Sequence, residues 1–194
     1  MIQPDAGEVE IGETIRIGYF AQEVPDMDTN QRVIDYIRDV AEYIPTRDGK
    51  ISATMMLERF LFDSAMQYAP IAKLSGGEKR RLYLLKVLME APNVLLLDEP
   101  SNDLDIPTLT ILEDYLDSFA GIVIAVSHDR YFLDNIVDRI FAFEGNGHLT
   151  QYEGGYTDYT ETLARKGGAV SEGQSTAVGA EKKKSAQADW KQNR

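Results

Sequence analysis

Val94-Leu95-Leu96-Leu97-Asp98-Glu99-Pro100 decides the reading of this chain. Four aliphatic residues followed at once by two acids and a proline read as a strand that is buried along its length and stops at a polar edge. Ile122 to Val126 repeats the pattern and ends in Ser127-His128-Asp129. Between the two runs, Ile106 to Ser118 carries apolar residues at helical spacing. Buried strand, helix, buried strand is a βαβ unit of a parallel sheet. Open α/β sheets place their ligands outside the carboxyl ends of such strands, so both polar tails should lie at one functional edge.

Working outward from this unit, Gly76 to Glu90 reads as the helix that feeds the first strand. Upstream, Gln31 to Tyr43 and Ile51 to Phe62 read as two amphipathic helices parted by Pro45 and an Arg47-Asp48-Gly49 turn. Residues 8 to 20 alternate, with Val9, Ile11, Ile15, Ile17 and Tyr19 two apart within each arm and Gly12-Glu13 between them. That spacing predicts a β-hairpin. Arg139 to Glu144 and His148 to Tyr152, joined by Gly145-Asn146-Gly147, predict a second one. No internal repeat is visible. The fold class is α/β, with a parallel sheet core, a helical portion over about residues 30 to 92, and hairpins.

Composition narrows what such a fold does. The 194 residues are 43% hydrophobic and 27% charged, with no cysteine and a net charge of −12. Enough apolar surface exists for a core, which rules out wholesale disorder. Disulfide scaffolds, Cys-ligated zinc and thiol catalysis are excluded. The longest aliphatic run, Ile122 to Val126, is far short of the ~18 residues that span a bilayer, and no signal pattern follows Met1, so neither membrane insertion nor export is expected and the cytoplasm is the expected compartment. Residues 165 to 194 hold seven basic and three acidic side chains, net +4, which leaves −16 for the remainder. Residues 167 to 180 are too poor in large apolar side chains to offset ordering entropy and read as a flexible linker. Residues 181 to 194 form a basic tail, a candidate nucleic-acid contact and the start of a C-terminal extension.

The chemistry is carried by three short stretches. Asp98-Glu99 would be costly in a core, so the pair should face a polar cleft; one carboxylate suits Mg²⁺ held through water and the other suits an attacking water. An exposed acidic turn is the plain alternative. His128 is one of two histidines. It reads either as a capping or packing residue or as a hydrogen-bond donor to a terminal phosphate. In Leu74-Ser75-Gly76-Gly77-Glu78-Lys79-Arg80-Arg81-Leu82, Ser75 and Glu78 complete a capping box. Helix stability does not account for Gly76 and Gly77, each of which costs roughly 1 kcal/mol against Ala. Bare N–H groups at a helix N-terminus suit an anion, and a phosphate contact is the sharper reading.

Together these stretches resemble the ATP-binding cassette (ABC) ATPases. LSGGEKRRL at Leu74 to Leu82 resembles the signature motif, VLLLDEP at Val94 to Pro100 the Walker B motif, and SNDLD at Ser101 to Asp105 the D-loop. SHDR at Ser127 to Arg130 is similar to the switch-histidine motif, and Gln22 in GYFAQE lies where the Q-loop glutamine falls. All five occur in family order across residues 8 to 165. The wording LSGGEKRRL, NDLD, SHDRYFLD and YEGGYTDY resembles the soluble ABC-F proteins, and within them the second cassette, with the Uup-like branch as one option. Ser101 stands where Thr is more usual and keeps the hydroxyl.

The resemblance implies roles. Asp98 would be the Mg²⁺ carboxylate, Glu99 the catalytic base, Gln22 a sensor of Mg²⁺ and the attacking water, and His128 a contact to the γ-phosphate of ATP. Ser75, Gly76, Gly77 and Glu78 would belong to the lid over ATP held by a second cassette, with Ser101 and Asp105 in the segment that couples the two sites. It also implies a ribosome or tRNA partner, reached through regions that this sequence does not contain. No G-x-x-x-x-G-K-[ST] occurs anywhere: Gly49-Lys50 is followed by Ile51. The expectation is therefore a partial cassette over residues 1 to 166, part of a longer protein that lacks its Walker A segment here and is inactive when isolated. An ATP-binding subunit of a transporter and a non-catalytic module completing a partner's ATP site stand as alternatives. The loss is also expected to remove the strand beside Val94 to Leu97.

Overall fold

The computed structural model describes residues 5–46, 49–102 and 104–167. Along the chain run β1 (Ile17–Phe20), α1 (Val33–Arg38), β2 (Tyr43–Thr46), β3 (Gly49–Ser52), α2 (Ala53–Arg59), α3 (Ser64–Gln67) and, after a 3-10 turn at Ile71–Lys73, α4 (Gly76–Met89). Then follow β4 (Val94–Asp98), α5 (Ile106–Asp117), β5 (Ile122–Val126), α6 (Arg130–Ile136), β6 (Arg139–Phe143), β7 (Leu149–Glu153) and α7 (Tyr156–Gly167).

The βαβ unit is present. β4 and β5 pair in parallel with Val94 level with Ile122, and α5 connects them. Two further parts of the fold agree with the sequence: β6 and β7 form the antiparallel hairpin around Gly145-Asn146-Gly147, and α4 starts at Gly76 behind its cap. β4 lies in the middle of a three-stranded sheet, because β1 pairs in parallel with its other edge, Ile17 level with Val94 and Phe20 with Leu97. Two expectations are thereby corrected. The chain before β1 is no hairpin arm: Val9, Ile11 and Ile15 are exposed, and Ile15 N–H closes a local turn on Gly12 C=O at 3.0 Å. Nor is a strand lacking beside Val94 to Leu97. Alternation shows that a strand has two unlike faces but says nothing of its partner. Asn93 supplies the missing specification, taking the Arg16 N–H on Oδ1 at 2.8 Å and donating Nδ2 to Thr14 C=O at 2.8 Å. Gly18 permits the close approach that results, since a Cβ there would stand 2.9 Å from Pro92 Cγ.

The sheet buries one face. Phe20, Leu95 and Leu97 are buried, whereas Tyr19, Ile122, Ile124 and Val126 on the other face are at least half exposed. β5 is therefore not buried on both sides as its unbroken apolar run suggested. On the buried side lies α4, with Leu82, Leu84, Leu85 and Leu88 fully enclosed between the sheet and α1 and α2. A helix covered on nearly all sides loses the single apolar stripe of a surface helix.

The two upstream helices are shorter than their periodicity suggested. α1 ends at Arg38 and α2 begins only at Ala53, because Tyr43–Thr46 and Gly49–Ser52 pair as an antiparallel hairpin between them. Ser52 then caps α2 by accepting the Met55 N–H at 3.2 Å. Arg47 and Asp48 of the expected turn, and the linker and tail beyond Gly167, lie outside the described residues. The short α3 and α6 and the 12-residue α7 were not anticipated. α7 is seated by side chains of the SHDRYFLD stretch: Asp134 accepts the Thr157 N–H at 2.8 Å and its hydroxyl at 2.6 Å. Arg130 stacks 5.2 Å from the Tyr156 ring centre.

Candidate functional site

β4 ends on Asp98, whose Oδ2 accepts the Tyr19 hydroxyl at 3.1 Å from the neighbouring strand. That bond favours the phenol, and the adjacent charge pushes the Tyr19 pKa up. Glu99 follows with φ of +48°, an uncommon conformation for a residue with a side chain. Its N–H still bonds Val126 C=O at 2.8 Å, so the backbone turns out of the sheet at this residue. Its carboxylate is sheltered, with the side chain 10% exposed.

His128, directly after β5, meets that carboxylate twice. Its Nε2 stands 3.2 Å from Glu99 Oε1, and its backbone N–H donates to Oε2 at 3.3 Å. The imidazole is 96% exposed, which removes the packing reading. The capping reading falls to its neighbour, since Asp129 accepts the Tyr131 and Phe132 N–H groups at 3.0 and 3.2 Å and caps α6. Behind the pair, the Ser101 and Ser127 hydroxyls lie 3.2 Å apart and tie the segment after β4 to the end of β5. The edge thus presents a sheltered carboxylate against an exposed imidazole, one residue after the Asp98 that ends β4.

A second group gathers at the start of α4. Ser75 Oγ accepts the Glu78 N–H at 3.3 Å, while Glu78 Oε2 takes the Ser75 N–H at 2.7 Å and the Ser75 hydroxyl at 2.8 Å. The backbone bond first, then the hydroxyl, hold the Glu78 carboxyl below the usual carboxylate range. A Cβ at Gly76 would meet open space, so neither crowding nor positive φ requires glycine there. Asp105 caps α5 by accepting the Thr108 N–H at 2.9 Å and lies 3.4 Å from Arg81 Nη1. Its Thr108 bonds hold its pKa down. Ser75, Gly77, Glu78, Arg81, Asp105 and Thr108 enclose a cleft of about 340 Å³. Gln22, Val24, Gly76, Gly77 and Arg80 line another of about 350 Å³.

Every residue singled out from the sequence lies in one of these two groups, with Gln22 beside the glycines. Three contributors were missed. Tyr19 could be found only by knowing the β1–β4 register. Arg80 and Arg81 received no role from the sequence, yet are 1% and 7% exposed, and the continuous apolar run Leu82 to Leu85 behind them was the available signal. The described residues contain no cluster of three His, Cys, Asp or Glu side chains suited to a metal. A single carboxylate such as Asp98 suits a Mg²⁺ shared with phosphates and water, not an all-protein cage.

The family model for ABC transporter matches residues 2–102. The ABC transporter ATP-binding protein YfmR of Bacillus subtilis is 58% identical over 164 residues, 84% of this chain and 26% of that protein. The ATP-binding protein Uup of Haemophilus influenzae is 40% identical over 163 residues, 84% of this chain and 25% of that protein. The energy-dependent translational throttle protein EttA of Escherichia coli K12 is 37% identical over 167 residues, 86% and 30% respectively. The chain thus spans 25 to 30% of the length of these relatives. Among solved structures, the archaeal ribosome recycling factor aABCE1 in complex with the stalk protein aP1 superposes with a TM-score of 0.62 at 19% identity, over 98% of this chain and 38% of that one. An ATP-binding subunit of an ABC transporter gives 0.54 at 16% identity, over 78% and 62%. No helix among the described residues is long and apolar enough to cross a membrane.

Proposed function

The chain belongs to the ABC transporter ATPase family, and we propose that it works as part of a longer, two-cassette ATPase of the ABC-F type, in which ATP binding and hydrolysis regulate the ribosome. The observation that carries the ATPase reading is the contact between the sheltered Glu99 carboxylate and the exposed His128 imidazole at the ends of adjacent parallel strands.

In this reading Glu99 accepts a proton from the water that attacks the γ-phosphate, and its enclosure keeps bulk water off the carboxylate. His128, free to turn on its exposed side, leaves Glu99 and donates to a terminal phosphate oxygen, where charge develops in phosphoryl transfer. Gln22 orients the same water. Asp98 and Gln22 would hold Mg²⁺, which supplies charge neutralisation between the phosphates. Ser75, Gly76 and Gly77, at the positive end of α4, face ATP carried by the second cassette, and Asp105 on its cleft links the two sites.

The ABC-F branch rests on the motif wording and on the likeness to Uup and EttA. The alternative of a module that only completes a partner's site rests on the absence of G-x-x-x-x-G-K-[ST] from the sequence. The test is Glu99→Gln in the two-cassette protein. ATP should still bind while turnover nearly stops, and the protein should then sediment with ribosomes in an ATP-dependent way. Single-turnover hydrolysis at the parent rate would remove the base assignment, and ATP-independent sedimentation would remove the ribosome reading.

A further inference from the structure

Arg80 lies in the second turn of α4 and is 1% exposed. Its Nη1 donates to Ala21 C=O at 2.5 Å and to Gln22 C=O at 2.7 Å, and its guanidinium stands 4.1 Å from the Phe20 ring centre. Burying a guanidinium carries a large desolvation cost, and a Met or Leu of similar length would fill the space without it. The cation therefore needs a reason beyond packing. Its acceptors are two consecutive carbonyls just past Phe20, where the β1–β4 ladder stops. One of them belongs to Gln22 itself.

Tyr83, one turn further along the same helix face, reinforces the hold. Its hydroxyl donates to Tyr19 C=O at 3.0 Å and lies 3.5 Å from the Ala21 N–H, and its ring packs on Phe20 with centres 5.3 Å apart. One turn in the other direction, Gly76 and Gly77 share the cleft of about 350 Å³ with Gln22. The helix thus grips the main chain of Gln22 at one point and presents its bare N-terminus beside the same residue.

We propose that Arg80 is a positioning residue that makes Gln22 and the glycine-bearing start of α4 move as one body, so that a phosphate contact at Gly76 and Gly77 sets the reach of Gln22. This rests on the reading of Gln22 and the two glycines as ATP contacts. Arg80 itself touches no substrate; it acts through the carbonyls it holds.

The experiment compares Arg80→Met, Arg80→Lys, Gln22→Ala and the double variant R80M/Q22A in the two-cassette protein, reading kcat and KM for ATP. A misplacement of about 1 Å at a positioning group costs up to roughly 100-fold, so R80M is expected to lower kcat about tenfold with KM within about twofold. R80K, which keeps one cationic donor, should recover part of kcat, and R80M/Q22A should turn over no more slowly than Q22A. If R80M fails to fold, R80K carries the test: faster amide exchange over residues 21–24 with β1 unchanged supports the linkage, and unchanged exchange overturns it. Normal kcat in R80M beside a slow Q22A, or losses that multiply in the double variant, also overturn it. Normal turnover in Q22A would instead refute the role assigned to Gln22, a different failure.

Discussion

Ser75→Ala separates the two duties assigned to the start of α4. The hydroxyl accepts the Glu78 N–H and donates to the Glu78 carboxylate, so truncation removes one cap bond and one partner of a charged acceptor. The Ser75 N–H bond to Glu78 is a main-chain contact and survives. Loss of a Ser cap costs about 1 kcal/mol, whereas replacement by Gly costs a few tenths. For a chain of this size 1 kcal/mol lowers the melting midpoint by about 2–4 °C. Thermal melts of the parent chain, S75A, S75G and E78Q at pH 7 should therefore rank S75A below S75G. The Glu78 part depends on pH, and its sign follows from the depressed pKa. Stabilisation by an ionised carboxylate is complete above the unfolded value of about 4.3 and fades as pH falls through the lower folded value. The gap between the parent and E78Q should therefore shrink on acidification into that range. A midpoint for S75A equal to that of the parent, or a gap independent of pH, would refute the capping account and leave Ser75 with ligand contact alone.

His128→Ala in the two-cassette protein should slow hydrolysis by roughly 100-fold while ATP still binds, as expected for loss of a donor to developing charge; an unchanged steady-state rate would detach His128 from the chemistry. Tyr19→Phe removes the donor to Asp98 at an exposed position, so stability should change by less than about 0.5 kcal/mol while the Mg²⁺ concentration for half-maximal turnover rises; an unaltered Mg²⁺ dependence would show the bond to be incidental. The chain by itself should bind ATP·Mg weakly, since a P-loop's backbone N–H nest and Lys are absent from its sequence. Titration with a fluorescent ATP analogue checks this, and micromolar binding reversed by excess ATP would contradict it.

The βαβ unit was legible because its two apolar runs are too short for helices and each ends in polar residues. The β6–β7 hairpin was legible because glycines flank Asn146. β1 was legible as a strand but not as a partner of β4. Its pairing depends on Asn93, 79 residues from Thr14 in the chain, and no local pattern encodes a contact of that separation. Tyr43 and Ile51 misled for a related reason: each stands at the end of an expected helix, yet the hairpin pairs Tyr43 with Ser52 and Ile44 with Ile51, and tertiary pairing overrides the local period. The unbroken run in β5 signals fitness for burial, yet Ile122, Ile124 and Val126 stay exposed because no described element packs on that face of the sheet.

The placement of the candidate residues was legible where type and spacing speak: the Ser75 and Glu78 box is formed, and Glu99 after β4 meets His128 after β5. What the sequence could not convey is that α4 holds the segment of Gln22 on one side and Asp105 on another. Arg80 reaches the carbonyl of Gln22, while Arg81, its side chain 9% exposed, lies 3.4 Å from Asp105 and 4.9 Å from the Phe62 ring centre. Adjacent residues on a helix point about 100° apart, so two neighbouring arginines serve different flanks of one rod. On one flank is the segment leaving β1, and on the other the cap of α5. The rod has to be rigid for such linkage to pass displacement rather than absorb it, and its enclosure by Leu82, Leu84, Leu85 and Leu88 supplies that rigidity. The buried basic pair and the apolar residues around it thus bring the main chain of Gln22 and the side chain of Asp105 onto one enclosed helix.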